Sequence, residues 1–383
     1  MLALDGGYRS SLPPRFFSDS MSNMTNPSGE TGVDFSPGVS RRSFIFAAAA
    51  AALGAIPALG VSDPAATAPA GVTFGFSTYG MKSLASEEAV GTLAEIGYDS
   101  VELAALAGWD ADPASLKPDR RTAIRRRLAD TGLRLTALME NLPPSVDDAR
   151  HQVQVDRIKA AAQLAHDLAP DNPPPVETVL GGTDWAKSKP LFVKRLADWV
   201  RAAESADAVI AIKPHRGNAL SRPEEAVELF GELGNSPQLR MVYDYSHFAG
   251  RNMPMADTIR VALPWTVFVS IKDLAIENGR EVFKLPGETG QIDYPAMIKQ
   301  FHAGGYTGDF NCEVSAMISK AADYDALKAA KQCYVAIAPA FDAAGVVRGK
   351  RRQAVSCLRA PLALPGVDRA CRQQRCTPRK RGR

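Results

Sequence analysis

The sequence predicts the α/β class, a single-domain (β/α)8 TIM barrel, and three observations carry that prediction. Short apolar runs alternate with helix-like segments through the middle of the chain, the pattern of parallel strands joined by covering helices. The stretch that shows it, residues 71–346, has roughly the length of one such barrel. No strand-like run is followed by a GxGxxG, so the alternative, a doubly wound sheet, lacks its dinucleotide fingerprint.

In chain order the strands are read at 72–79 (VTFGFSTY), 98–105 (YDSVELAA), 133–141 (LRLTALMEN) and 176–182 (VETVLGG), then at 208–215 (AVIAIKPH), 239–247 (LRMVYDYSH), 267–273 (VFVSIKD) and 309–315 (DFNCEVS). The fifth shows the logic best. Ala208, Val209, Ile210, Ala211 and Ile212 run straight into Lys213, Pro214 and His215, with Arg216 and Gly217 behind them. A strand covered on both faces reads this way, and barrels place their chemistry at such strand ends. Between strands, SEEAVGTLAEIG and RTAIRRRLADTG carry apolar residues at helical spacing and stop at a glycine, a common helix C-terminus.

The two ends of the chain differ from its middle. The formal charge of +3 comes from residues 347–383, where bases from Arg348 to Arg383 face one acid, Asp368. The remainder is mildly acidic, which excludes a nucleic-acid-binding body. A like-charged block with Pro and Gln is expected to be a disordered tail. Residues 1–70 read as a leader. Ser40-Arg41-Arg42-Ser43-Phe44-Ile45 matches the core of a twin-arginine signal, an apolar run to about Gly60 follows, and ATAPA at 66–70 offers small residues to a signal peptidase. The run is short and Ala-rich for a membrane span, and no stop-transfer charge follows it. The expected location is periplasmic, the other reading being an uncleaved leader that anchors the chain to the membrane. Cys312 and Cys333 are the cysteines of the body and have no CxxC spacing. Two buried thiols are expected, with a bridge open to them in an oxidising compartment.

The predicted strands close on Glu102, Glu140, Lys213 with His215, Asp244 with His247, Lys272 with Asp273, and Glu313. Strand-end carboxylates and imidazoles converge on a barrel mouth, so the set reads as a site. Singly, each has a structural reading too: Glu102 can hold neighbouring loops, and Lys272 can pair with Asp273 or Asp244.

The body also resembles the xylose-isomerase-like TIM-barrel superfamily of sugar isomerases, epimerases and inosose dehydratases. The matching stretches are IGYDSVEL, IKPHRGNAL, VYDYSHF, VSIKD and, most specific, LPGETGQIDYPAMIKQFHAGGYTGDFNCEVS. The resemblance implies one divalent metal (Mn, Zn or Mg) held by Glu, Asp, His and Glu from strands five to eight, polarising a hydroxy-ketone while carboxylates move a proton at the adjacent carbon. Asp244 and Glu313 stand at the matching positions. The first Glu is replaced by Lys213, and the His expected two residues before Lys272 is Ser270. His247 matches a substrate-binding or proton-transfer position. The related abasic-site endonucleases need a multi-metal cluster rich in His, which the five histidines of this chain do not supply.

Lys213 therefore has several readings. Its ammonium replaces the metal and stabilises an enediolate; or it loses its proton and forms a Schiff base with a carbonyl, which flanking carboxylates oppose; or it plugs a binding protein; or a rearranged metal site uses Asp244, Glu313 and a histidine. The reading adopted is an exported sugar or polyol isomerase or epimerase that abstracts a proton next to a carbonyl. Its alternatives are a lyase or dehydratase of the same fold and a non-catalytic sugar-binding barrel. Lys213 is then the electrophile, Glu313 and Glu140 the candidate bases, and His247 a proton shuttle. His215, Arg216 and Lys272 bind substrate, which is a small sugar or polyol rather than a nucleic acid.

Overall fold

The computed structural model describes residues 71–349, which lie within the compact unit Ala65–Arg383. The expected leader with Arg41 and Arg42, and the expected basic tail from residue 350 onward, lie outside the described residues. The strands and helices are β1 Thr73–Ser77, α1 Ser86–Ile96, β2 Ser100–Ala104, α2 Pro118–Thr131, β3 Arg134–Met139, α3 Asp148–Leu168, β4 Val176–Thr178, α4 Trp185–Ser205, β5 Ile210–Ile212, α5 Pro223–Glu232, β6 Leu239–Tyr243, α6 Met255–Ala262, β7 Thr266–Ile271, β8 Asp273–Glu277, β9 Arg280–Lys284, α7 Tyr294–Ala303, β10 Asp309–Cys312, α8 Ala316–Ser319 and α9 Ala326–Ala343. Eight parallel strands close in the order β1-β10-β7-β6-β5-β4-β3-β2, and β8 pairs with β9 as a separate hairpin.

Helix ends follow local chemistry. Asp147, Asp184, Asp293 and Asp325 each accept a hydrogen bond from a backbone N–H of the first turn they precede, which satisfies a donor the helix itself leaves open. Gly97 and Gly132 end α1 and α2 in the left-handed conformation, as their position after a helical pattern predicts. No helix among the described residues is long and apolar enough to cross a membrane.

Alternation along the strands positions everything that follows. Phe74 and Phe76 of β1, Val101 and Leu103 of β2, Ile210 and Ile212 of β5, Met241 and Tyr243 of β6, Val269 and Ile271 of β7, and Phe310 and Cys312 of β10 join the large core, which lies between the sheet and its helices. Their neighbours therefore face the barrel interior. Ala137, Ala211, Val242 and Phe268 form a small apolar cluster of their own there. One step toward the C-terminal ends, the same faces present Glu102, Lys213, Asp244, Lys272 and Glu313, all buried.

All eight expected strands are present, and most are shorter than expected at their C-terminal ends: 208–215 shrinks to Ile210–Ile212 and 176–182 to Val176–Thr178. There the chain leaves the ladder to aim polar side chains into the mouth. The hairpin β8–β9 is additional to the expected elements. Asn278 and Gly279 form its two-residue turn, both with positive φ (51° and 72°), and an Asn-Gly pair favours such a turn. Cys312 and Cys333 are free buried thiols. Residues 347–349, where the tail was expected to begin, pack at the entrance to β1 and β2: the Gly349 amide donates to the Val72 carbonyl (2.7 Å), and Arg348 pairs with Asp99 (3.4 Å).

Candidate active site

A chain of alternating charges crosses the barrel mouth. The Lys213 Nζ, just past β5, lies 2.5 Å from Glu177 Oε1 of β4 and 2.5 Å from Glu313 Oε2 beyond β10. The other oxygen of Glu313 takes the Lys272 Nζ at 2.7 Å, and Lys272 reaches Asp244 Oδ2 at 3.2 Å. His247 Nε2 is 3.3 Å from that same oxygen, placed by the tight turn Tyr245–His247 that the Asp244 side chain caps. Ser270 donates to Glu313 Oε2 at 3.3 Å. Each of these groups is at most 6 % exposed, so water screens none of them well and the pairings set their charge states.

Burial alone would strip the proton from Lys213, but Glu177, then Glu313 and Asp244, outweigh it and hold the ammonium well above its usual range. Burial would protonate Asp244, yet Lys272 and His247 keep it well below the usual carboxylate range. Glu313 is likewise held below its ordinary value, by Lys213 and Lys272 against the effect of burial. Glu102 behaves oppositely: burial and then the neighbouring charge of Glu177 raise it well above the usual range, so it sits in the centre as a neutral acid. His247 is pushed down to about 4 by burial, with Asp244 opposing, and is a neutral imidazole at pH 7.

His215 packs against His247 with the rings tilted, centroids 4.0 Å apart, and burial, then His247 and Lys272, push it down to about 3. In the unfolded chain it protonates near 6.5. Its contribution to stability is therefore full above pH 6.5 and is lost as pH falls toward about 3. Between pH 7 and pH 5, His215→Gln is expected to lose less stability than the wild type in urea unfolding. Equal losses would contradict the buried neutral imidazole.

The hairpin roofs the centre. Phe283 of β9 lies under the Arg216 guanidinium (3.9 Å) and near Lys272 (5.3 Å), with His247 edge-on to it. Arg216 pairs with Glu281 of the same strand. Tyr79 is half-buried where it feels the charges of Glu313, Lys272 and Lys213, and its ring stacks on Trp109 at 5.3 Å.

The structure thus brings together Lys213, Glu313, Asp244, His247 and Lys272, with His215 and Arg216 at their edge. Glu140 stands in a second cluster. Its carboxylate takes Arg157 at 2.5 Å, which also holds Asp112 at 3.1 Å, and burial against that guanidinium leaves it at about 7. Asp273 accepts from the amides of Leu274 and Thr289 and from the Thr289 hydroxyl, so it ties down the loop after β9 rather than pairing with Lys272. Sequence reasoning missed Glu177, which lies inside a strand rather than at its end. The signal was alternation, since Val176 and Thr178 flank it in a three-residue strand.

The donor set does not fit a divalent ion. At the positions where the resemblance implies four ligands, Lys213 offers an ammonium with no lone pair, and the Ser270 hydroxyl is spent on Glu313. Both oxygens of Glu313 and Asp244 Oδ2 already face ammonium groups. Among the described residues no cluster of three or more His, Cys, Asp or Glu could hold a metal.

Comparison with known proteins agrees with the architecture. An L-ribulose 3-epimerase is similar in structure, with 20 % identity, a TM-score of 0.56, and 76 % of this chain and all of that one covered. The 3-keto-D-glucoside 4-epimerase YcjR from E. coli gives 14 %, 0.55, 70 % and 99 %. The IOLI protein, solved with a zinc atom, gives 17 %, 0.57, 72 % and 98 %. No protein with a curated description matches the sequence. Residues 90–333 match the family described as xylose isomerase-like TIM barrel. With well over half the chain matched, and the closed barrel with its strand-end charges in view, the protein belongs to the xylose isomerase-like TIM barrel family.

Proposed function

We propose that the protein is a sugar or polyol isomerase or epimerase in which ammonium groups supply the positive charge at the reacting oxygens. One observation carries this reading: Lys213 bridges Glu177 and Glu313, and Lys272 bridges Glu313 and Asp244, at the positions where the resemblance implies a divalent ion. The sugar epimerases among the structural neighbours support the substrate class.

Charge decides between the roles open to Lys213. Its ammonium is held charged by three carboxylates, and only the neutral amine attacks a carbonyl. Electrostatic stabilisation of an enediolate therefore outranks a Schiff base. A hydroxy-ketone that places its two oxygens against Lys213 and Lys272 displaces Glu313 from both. Freed of its ammonium partners but still buried, the Glu313 carboxylate becomes more basic, and it takes the proton from the carbon next to the carbonyl. Neutral His247 receives or returns a proton at the substrate hydroxyl, and Asp244 orients it. The flat face of Tyr79, backed by Trp109, suits the C–H side of a sugar.

The reading is tested by incubating the protein with a panel of keto sugars and keto polyols in deuterated water. Proton NMR should show deuterium entering at the carbon next to the carbonyl of at least one of them. Binding of a sugar with no exchange and no conversion of any would favour a binding barrel and sink the catalytic reading.

A further inference from the structure

We propose that a chain of ordered waters threads the barrel along the β10–β1–β2 wall and joins the buried charge centre to solvent at the opposite end. The registers place three tiers on that wall. Thr73 pairs with Asp309, Gly75 with Asn311 and with Ser100, and Ser77 with Glu102. The alternate residues Phe74, Phe76, Val101, Leu103, Phe310 and Cys312 pack outward in the large core, so these tiers face inward.

Several polar side chains on this wall lack a protein partner. Ser100 Oγ, both amide atoms of Asn311, Thr73 Oγ1 and Asp309 Oδ1 are buried without a hydrogen bond from the protein, while Glu102 shares its proton with Glu177. Glu102, Ser100 and Asn311 have no exposure at all. Buried polar groups are hydrogen-bonded to protein or to water in nearly all structures, and an open one is costly. Here three adjacent strands stack such groups from one end of the barrel toward the other.

Barrel interiors are usually filled with bulky branched residues, but the middle tier of this wall consists of Gly75, Ser100 and Asn311. A methyl at Gly75 would collide with Asn311 Nδ2 and Ser100 Oγ, so the glycine leaves both polar groups their place on the inner face. At the far end, Asp309 is 6 % exposed and faces Arg134 at 3.9 Å, whose own side chain is 39 % exposed. That is the outlet. At the near end Glu102 adjoins Glu177, the partner of Lys213. Each water in such a file accepts one hydrogen bond and donates another, so a proton handed in at one end releases one at the other. The mouth itself is roofed by Phe283, and the file gives the centre a proton route that does not need the roof to open. This inference stands apart from the choice of substrate.

The test combines a high-resolution crystal structure with NMR of protein labelled with 15N-lysine. The wild type should show ordered waters bonded to Ser100 Oγ, Asn311 and Glu102. The Lys213 ammonium signal, assigned by its disappearance in Lys213→Met, should exchange its protons with solvent. Asn311→Leu keeps the volume, removes the polar partner, and should clear the waters and slow that exchange by about tenfold or more. Gly75→Ala, which drives Asn311 and Ser100 into the space, should act in the same direction. Unchanged exchange in both variants would overturn the inference by showing that protons come through the mouth. Should neither variant fold, the wild-type crystal decides alone: a dry wall with Asn311 and Ser100 bonded to each other overturns it.

Discussion

Lys213→Met is expected to lower deuterium exchange at the substrate carbon by about a thousandfold, the upper end of what one preorganised donor to a developing oxyanion contributes. The substituted side chain keeps most of the length and loses the charge. Glu177 and Glu313 then lack a shared cation, and both are buried. Breaking a buried pair from one side destabilises by about 3–5 kcal/mol, so the rate must be read at a temperature where circular dichroism shows the variant folded. Lys213→Arg retains the charge but presents a wider, planar head to a site shaped for a point ammonium. It should recover part of the stability and little of the rate. A Lys213→Met protein that is folded and as fast as the wild type would remove the lysine from the chemistry.

The second large effect is a gain. Lys213→Glu with Ser270→His places a carboxylate and an imidazole beside Asp244 and Glu313, a donor set that suits Mn or Zn. Isothermal titration should detect tight uptake of one divalent ion by this double variant and none by the wild type. Charge balance supports the expectation: an ammonium beside Asp244 and Glu313 leaves the same net charge as a divalent ion among three carboxylates. Lys213→Glu alone should bind metal only weakly and be inactive. It crowds a third carboxylate against Glu177 and Glu313 and still has only the Ser270 hydroxyl at the fourth position. Equal metal affinity in the single and double variants would show that position 270 does not face the ion.

The barrel was legible because its signal is repeated eight times. Each strand is a short apolar run, and runs such as 208–212 need no tertiary information to be recognised. The site was legible where a polar residue ends a strand: Lys213, Asp244, Lys272 and Glu313 all do. Glu177 was not, because a carboxylate in the middle of VET looks like a surface residue until the ladder shows which face it takes. Glu140 and Glu313 look alike in sequence, each a glutamate closing a strand. Only packing separates them, since Arg157 of α3 claims one and two lysines claim the other. The hairpin carried its own Asn-Gly signal, yet its role as a roof depends on Phe283 and Glu281 reaching His247 and Arg216 across the mouth. No local pattern encodes that contact.

If Lys213 and Lys272 do the work of a cation, protein purified without chelator should carry metal well below one ion per chain by elemental analysis. Exchange activity measured on the same sample should be unchanged by EDTA. One tightly held divalent ion per chain, whose removal abolishes activity and whose return restores it, would show that a metal and not the two lysines supplies the charge.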